Sequence, residues 1–95
     1  MSYKLEFHPD ALKEWNKLDE TVKGQLRKKL KERLEVPRVP KASISGGTDL
    51  YKIKLAAVGY RLVYKVIDHT ITVYVLSVGK REENAAYKTG HKRNK

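Results

Sequence analysis

The stretch YKIKLAAVGYRLVYKV, residues 51–66, decides the fold because it reads as two β-strands joined by a short turn. Apolar side chains at positions 51, 53 and 55 alternate with Lys52 and Lys54, so the two lysines share one face of the first strand. If residues 56–59 form the turn, Lys54 lies opposite Arg61 on the second strand. Like charges on neighbouring strands repel. This face is therefore either a solvated surface or a site for a polyanion.

The elements on either side of this hairpin complete one domain. A strand is predicted over residues 3–7, and a helix begins at Pro9, because proline suits the first helical position. Asp19 is the predicted cap of a second helix, which Pro37 stops. Strands follow at about residues 50–55, 60–67 and 70–78, with a two-residue turn at 68–69. The sequence thus predicts an α+β fold, a single β-α-α-β-β-β domain over residues 1–95. We expect an antiparallel sheet, two helices packed on one face and a short C-terminal helix or tail.

The charge balance favours an acidic partner. The 95 residues include 21 Lys and Arg against 11 Asp and Glu, a net charge of +10, which attracts nucleic acid, an acidic membrane or an acidic protein. Cysteine is absent, which excludes disulfides, cysteine zinc sites and a thiolate nucleophile. The three histidines are not spaced with other ligands, so we expect no metal and no cofactor. Neither a signal peptide nor an apolar run of about 20 residues is found, so we expect a cytoplasmic protein with no membrane partner.

Strand pairing extends the basic face beyond the first hairpin. With a turn at residues 68–69, Lys65 lies opposite Thr72. The exposed face then carries six side chains, which are Lys52, Lys54, Arg61, Lys65, Thr72 and Tyr74. The core face carries the apolar side chains at positions 51, 53, 55, 62, 64, 66, 71, 73 and 75. Because the last strand runs back beside the preceding one, Arg81 is expected near Arg61, and Tyr87 is close enough along the chain to fold over the same surface.

Several segments together resemble one protein family. The segments are ALKEWNKL at 11–18, YKIKL at 51–55, GYRLVY at 59–64 and VIDHTITVYVLSVGKRE at 66–82. With Tyr87, they are similar to the RelE toxins of the RelE/ParE toxin–antitoxin superfamily. The likeness covers nearly the whole chain and keeps the order of the elements. It implies the toxin of a type II toxin–antitoxin system.

The resemblance implies a metal-independent endoribonuclease, an mRNA interferase that cleaves mRNA in the ribosomal A site and inhibits translation. The 2′-hydroxyl of one nucleotide would attack its own 3′ phosphate, leaving a 2′,3′-cyclic phosphate and a 5′-hydroxyl. The family's catalytic positions carry over to Lys52, Lys54, Arg61, Arg81 and Tyr87. The implied partners are the ribosome, mRNA, a RelB-like antitoxin and, through that antitoxin, operator DNA.

The chemistry of the side chains agrees with these roles. Crowding by like charge favours the neutral form of a lysine, so either Lys52 or Lys54 is a candidate base. Arg61 would stabilise the charge that develops on the phosphate. Arg81 would support the leaving oxygen, although arginine holds its proton tightly and is a poor acid. Tyr87 would stack on or orient a base.

Two positions depart from the pattern of the family. Ser45 and Ala56 stand where members of the family often carry a basic residue, which weakens contacts with phosphate or ribosomal RNA.

One alternative to the ribonuclease is a toxin of related fold that inhibits DNA gyrase, although the set of basic residues argues against it. The other is a non-catalytic module that binds RNA or the ribosome through the same basic surface.

Overall fold

The computed structural model describes residues 2–44, 48–80, 89 and 92–93. Its elements are β1 (Lys4–Phe7), α1 (Pro9–Asn16), α2 (Glu20–Glu35), β2 (Leu50–Leu55), β3 (Tyr60–Ile67) and β4 (Thr72–Lys80). Short 3₁₀ turns occupy Pro40–Ala42 and Asp68–Thr70. The α+β class and the predicted order of helices and strands are confirmed. Residues 89, 92 and 93 have helical backbone; the other residues from 81 onward lie outside the described part of the chain.

Both helices begin where the sequence predicted, and each is capped by a side chain. The Asp10 backbone N–H donates to His8 Nδ1 at 3.1 Å, and Pro9 takes the first helical position of α1. The Val22 N–H donates to Asp19 Oδ1 at 2.9 Å at the start of α2. These caps supply partners for N–H groups that have no acceptor within the first turn of a helix.

The sheet has the strand order β1-β4-β3-β2 and is mixed. β2 pairs with β3 and β3 with β4 in antiparallel fashion, whereas β1 pairs with β4 in parallel. The prediction of an antiparallel sheet is therefore correct for three strands and wrong for β1. Short turns join β2, β3 and β4, which forces neighbours to run in opposite directions. β1 is separated from the other strands by two helices, and this long connection allows a parallel pairing.

The hairpin between β3 and β4 differs from the predicted two-residue turn. The 3₁₀ turn at Asp68–Thr70 is followed by Ile71 in a left-handed conformation, with φ 51°. This longer connection places Lys65 opposite Tyr74, not opposite Thr72. It also leaves Ile71 exposed, so its predicted place in the core is wrong. The pairing shifts again along β4, where Val63 is opposite Ser77 but the next residue is opposite Val75, which leaves Leu76 as the extra residue of a β-bulge.

The main core lies between the helices and one face of the sheet. Leu26 and Leu30 of α2 pack with Leu62 and Tyr64 of β3, and all four side chains are fully buried. Burial of each large apolar side chain contributes about 1.5–3 kcal/mol. A second, smaller cluster lies in the sheet and consists of Leu50, Val63 and Leu76, with Ile44 and Tyr74 against it.

Candidate active site

The exposed side of the β2–β3 hairpin brings together the basic residues that the sequence singled out. Lys54 lies directly opposite Arg61, and Lys52 lies opposite Val63, as predicted. Lys54 is exposed, whereas Lys52 and Arg61 are half-buried. In a directly opposed pair the β-carbons are about 4.5–5.5 Å apart, so both charges can reach one phosphate group. The hairpin therefore presents two cations to a shared ligand position.

Arg61 lies on β3, a central strand, and the residues paired with it on the two sides differ in charge and size. On one side it faces Lys54, and on the other it faces Gly79 of β4, which has no side chain. The next pair joins Tyr60 to Lys80, the last residue of β4. Gly79 thus adds no side chain beside Arg61, so of its two paired neighbours only Lys54 supplies a charge.

Two of the five predicted catalytic residues, Arg81 and Tyr87, lie outside the described residues. The structure does describe Lys80, the residue that precedes Arg81 in the chain. Arg81 follows Lys80, which pairs with Tyr60 at the start of β3. The predicted approach of the chain to the neighbourhood of Arg61 is therefore confirmed as far as Lys80, and the roles of Arg81 and Tyr87 stay predictions.

The wider face is less polar than the sequence predicted. Thr72 is buried, and Tyr74 packs against the smaller apolar cluster of Leu50, Val63 and Leu76. The basic residues thus lie beside an apolar patch and do not cover the whole face.

A contact that the sequence did not predict supports Lys52 from the helix side. Arg33 of α2 donates through Nη1 to the Lys52 carbonyl oxygen at 3.0 Å and to the Tyr64 hydroxyl at 2.9 Å. The Tyr64 hydroxyl donates in turn to the Pro37 carbonyl at 2.7 Å. Burial is the main reason that the pKa of Tyr64 is raised, so the phenol stays neutral.

The signal for this contact was present in the sequence. A tyrosine on a buried strand needs a polar partner for its hydroxyl. Arg33 follows Leu30 by three residues and so lies on the packed side of α2. Which strand residue it meets depends on the placement of α2 against β2.

Neither a metal cluster nor a membrane helix was found in the part of the chain that the structure describes. Within residues 2–44, 48–80, 89 and 92–93, no three side chains of His, Cys, Asp or Glu are grouped so as to hold a metal ion. No helix in those ranges is both long enough and apolar enough to cross a bilayer.

The mixed four-stranded sheet with two helices matches the fold of solved toxins of toxin–antitoxin systems. A model of the family described as ParE toxin of type II toxin-antitoxin system, parDE, matches residues 5–85. The chain belongs to this toxin family. Within it, the chain is 54% identical over 93 residues to the mRNA interferase toxin RelE of Escherichia coli (strain K12), covering 98% of both chains. It is also 47% identical to a putative RelE-like toxin protein of Escherichia coli, again over 98% of both.

Solved structures agree with the fold. A mutant of E. coli toxin RelE in the free state matches with a TM-score of 0.92 and 52% identity over 100% of both chains. The toxin of the intact E. coli RelBE toxin–antitoxin complex matches with a TM-score of 0.83 and 55% identity, over 86% of this chain and 100% of that one. The resemblance inferred from the sequence motifs is confirmed.

Proposed function

We propose that the chain is the toxin of a type II toxin–antitoxin system and acts as a ribosome-dependent mRNA interferase. The observation that carries this proposal is the direct pairing of Lys54 with Arg61 on the exposed side of the hairpin. The mRNA interferase named RelE, at 54% identity over nearly the full length of both chains, supports it. Two neighbouring cations of different geometry suit a phosphate that gains negative charge during reaction.

The proposed reaction is an internal transfer at phosphorus. The 2′-oxygen of one nucleotide attacks the adjacent 3′ phosphorus while the bond from phosphorus to the 5′ oxygen of the next nucleotide breaks. The 2′-hydroxyl proton passes to a base, and the leaving 5′ oxygen takes up a proton. The products are a 2′,3′-cyclic phosphate and a 5′-hydroxyl, and no metal takes part.

Each candidate residue has a role that its chemistry allows. Lys52 or Lys54 is the base, which requires that lysine to be neutral when the 2′-hydroxyl is deprotonated. Arg61 stabilises the phosphate, because guanidinium donors in a fixed plane match phosphate oxygens. Arg81 supports the leaving oxygen, and Tyr87 stacks on or orients a base of the mRNA. Lysine and arginine are weak proton-transfer groups for this reaction. A ribosome that holds the mRNA rigidly would replace part of their acid–base contribution, because the reacting atoms would already be oriented for attack.

The proposed partners follow from this role. The ribosomal A site and mRNA provide the substrate, and a RelB-like antitoxin inhibits the toxin. E. coli RelE forms a RelBE complex with its antitoxin, and this chain is 55% identical to the toxin of that complex. The net charge of +10 is complementary to an acidic antitoxin segment. Operator DNA would be bound through the antitoxin, and the toxin would act in the cytoplasm.

A toxin of related fold that acts on DNA gyrase is the alternative that the sequence left open. The two cations of the hairpin favour the ribonuclease over it. Purified protein, translating ribosomes and mRNA separate the two. We expect cuts within A-site codons, read by mapping the new 5′ ends, with 2′,3′-cyclic phosphate on the other fragment. Intact mRNA on ribosomes, together with DNA damage signalling in cells that express the protein, would contradict the proposal.

A further inference from the structure

We infer that the cleft between α2 and the outer edge of β2 binds phosphates of the mRNA strand next to the cut site. This inference rests on the proposed function and extends its site around the edge of the sheet. The cleft has a volume of about 340 Å³, and five basic residues line it: Lys29, Arg33, Lys41, Lys52 and Lys54. The other described lining residues are apolar, and no acidic residue is among them.

The position of one charge in this cleft is held by the fold. Arg33 is half-buried, and its Nη1 donates to the Lys52 carbonyl and the Tyr64 hydroxyl. Its guanidinium carbon lies 5.8 Å from the centroid of the Tyr64 ring. These contacts fix the guanidinium before any ligand arrives, so less side-chain entropy is lost on binding than for a free arginine.

The backbone of β2 adds to the cleft. Ile44 N–H donates to the Leu50 carbonyl at 2.9 Å and Ser43 bridges to Tyr51, so the preceding loop covers the first half of the strand edge. The carbonyl of Lys52 also points outward, because it accepts from Arg33. In an antiparallel pair the N–H and C=O of one residue point the same way and alternate along the strand. The N–H of Lys54 therefore points toward the cleft, where it is a donor for a phosphate oxygen.

Continuity with the candidate active site favours mRNA as the occupant. Lys52 and Lys54 belong both to the cleft and to the hairpin that carries Arg61. An RNA strand has one negative charge per nucleotide, so a strand whose scissile phosphate lies at Arg61 meets further cations as it passes the β2 edge.

An amphipathic protein segment fits the cleft less well. Such a segment needs apolar contact area in a groove. The cleft's Ile53 and Ala42 are buried and present little surface, whereas Lys29 and Lys41 are exposed. The charges, not apolar side chains, are what a ligand would meet.

The test compares two double variants with equal loss of charge. Lys29→Ala with Lys41→Ala removes two exposed cations from the cleft. Lys13→Ala with Lys28→Ala removes two exposed cations from the helices outside its lining. Fluorescence anisotropy measures binding of each full-length variant to a labelled single-stranded RNA oligomer over a range of salt concentrations. Steady-state cleavage on mRNA-programmed ribosomes, and binding to vacant ribosomes, are measured beside it. Circular dichroism checks that both variants fold, and Lys29→Gln with Lys41→Gln repeats the cleft change with a different side chain.

For the cleft variant we expect RNA affinity and kcat/KM to fall about tenfold, mainly through KM. The slope of log affinity against log salt should become shallower by about 0.7 for each phosphate that the variant no longer binds. The control variant should change by less than about threefold. Equal losses in the two variants, or none in the cleft variant, would overturn the inference.

Two further results would assign the cleft to another ligand. A loss that is equally large on vacant ribosomes would point to ribosomal RNA. Weaker affinity for polyglutamate with unchanged RNA affinity would point to an acidic protein segment. Either result overturns binding of the mRNA strand. If the wild-type protein does not cut mRNA at all, the proposed function fails, while the comparison of RNA affinities still decides the cleft.

Discussion

Arg93 forms a two-pronged ion pair with Glu14, which lies 79 positions earlier in the chain. Nη1 of Arg93 donates to Oε1 at 2.9 Å and Nη2 donates to Oε2 at 3.1 Å. The same Nη1 donates to the Leu76 carbonyl at 2.8 Å, and Glu14 Oε1 accepts the Val78 N–H at 3.0 Å. β1 pairs with β4 only as far as Val75. Beyond the end of β1, the Glu14 and Arg93 side chains therefore provide hydrogen-bond partners for the backbone of β4. The pair also fixes the C-terminal segment at Arg93.

Replacing Arg93 with alanine should therefore destabilise the fold and release the end of the chain. The Arg93 side chain is largely buried, and its removal takes the arginine donors away from Glu14 Oε2 and from the Leu76 carbonyl, while Glu14 Oε1 keeps the Val78 N–H. We expect a fall of about 1–3 kcal/mol in the free energy of unfolding. Urea denaturation measures it, and carboxypeptidase digestion should become faster. Alanine at the exposed Lys92 is the control, and the same destabilisation there would argue against the ion pair.

Removal of the Arg61 guanidinium should abolish cleavage while ribosome binding largely survives. The side chain lies opposite Lys54 at the proposed phosphate position. Loss of a donor that acts on developing charge costs about 100-fold or more in kcat. Single-turnover cleavage on programmed ribosomes and co-sedimentation with ribosomes measure the two properties for Arg61→Ala. Equal loss of cleavage and binding would instead support a module that only binds RNA or the ribosome.

The Tyr64 hydroxyl should contribute to stability out of proportion to its size. It lies in the core, donates to the Pro37 carbonyl at 2.7 Å and accepts from Arg33 at 2.9 Å. Tyr64→Phe keeps the ring but leaves a buried carbonyl unpaired, so we expect a decrease of about 1–3 kcal/mol in the free energy of unfolding. Tyr74→Phe is the matched control, because the Tyr74 hydroxyl makes no hydrogen bond within the described residues. A comparable decrease there would show that the effect is not due to this hydroxyl.

Because of a cluster of four polar side chains, we expect part of the free energy of unfolding to change with pH in the acid range. Arg38 donates to Asp68 at 2.7 Å and to Asp49 at 2.9 Å, and the Tyr3 hydroxyl donates to Asp68 at 3.0 Å. The hydrogen bonds from Arg38 and then from Tyr3 hold the pKa of Asp68 below its usual range. As the pH falls, the unfolded chain binds this proton before the folded chain does. The stabilising contribution is therefore complete above about pH 4–5 and is lost as the pH falls through the lowered pKa.

Asp68→Asn should remove this acid sensitivity. We expect the melting temperature of the variant to be lower than that of the wild type at neutral pH and to fall less between about pH 5 and pH 2. Because Asp68 is exposed, the difference should shrink as salt is added. Thermal melts followed by circular dichroism measure both trends. Glu32→Gln, another exposed carboxylate, is the control; if its pH profile changes as much, the cluster is not the cause.

Ile71 should be a site where substitution stabilises the protein. It has φ 51°, a conformation that β-branched residues rarely adopt, and its side chain is 42% exposed. Asparagine tolerates this conformation and the Ile71 side chain packs little, so Ile71→Asn should raise the free energy of unfolding by about 1 kcal/mol. His69→Asn in the same turn lacks a left-handed backbone and should have little effect. Urea denaturation measures the free energy of unfolding of both variants. A less stable Ile71→Asn variant would mean that the packing of the Ile71 side chain contributes more than the relief of backbone strain.

Local rules explain what could be predicted from the sequence. The fixed φ of Pro9 predicted the start of α1, and the capping side chain of Asp19 predicted the start of α2. The alternation of polar and apolar residues predicted β2 and β3. The register of Lys54 with Arg61 followed as well, since a four-residue turn leaves one pairing that keeps the apolar side chains on one face. The family motifs lie mainly in α1, β2, β3 and β4, so the resemblance was visible without a structure.

Tertiary structure decided the features that join distant parts of the chain. The parallel pairing of β1, the bulge at Leu76 and the contact of Arg33 with Lys52 depend on how helices pack on the sheet. Sequence periodicity reports which face of an element is buried, but not what covers it. The pairing of Lys54 with Arg61 was thus determined by the sequence alone. The basic cleft beside it was not, because its walls come from three separate elements whose approach depends on the whole core.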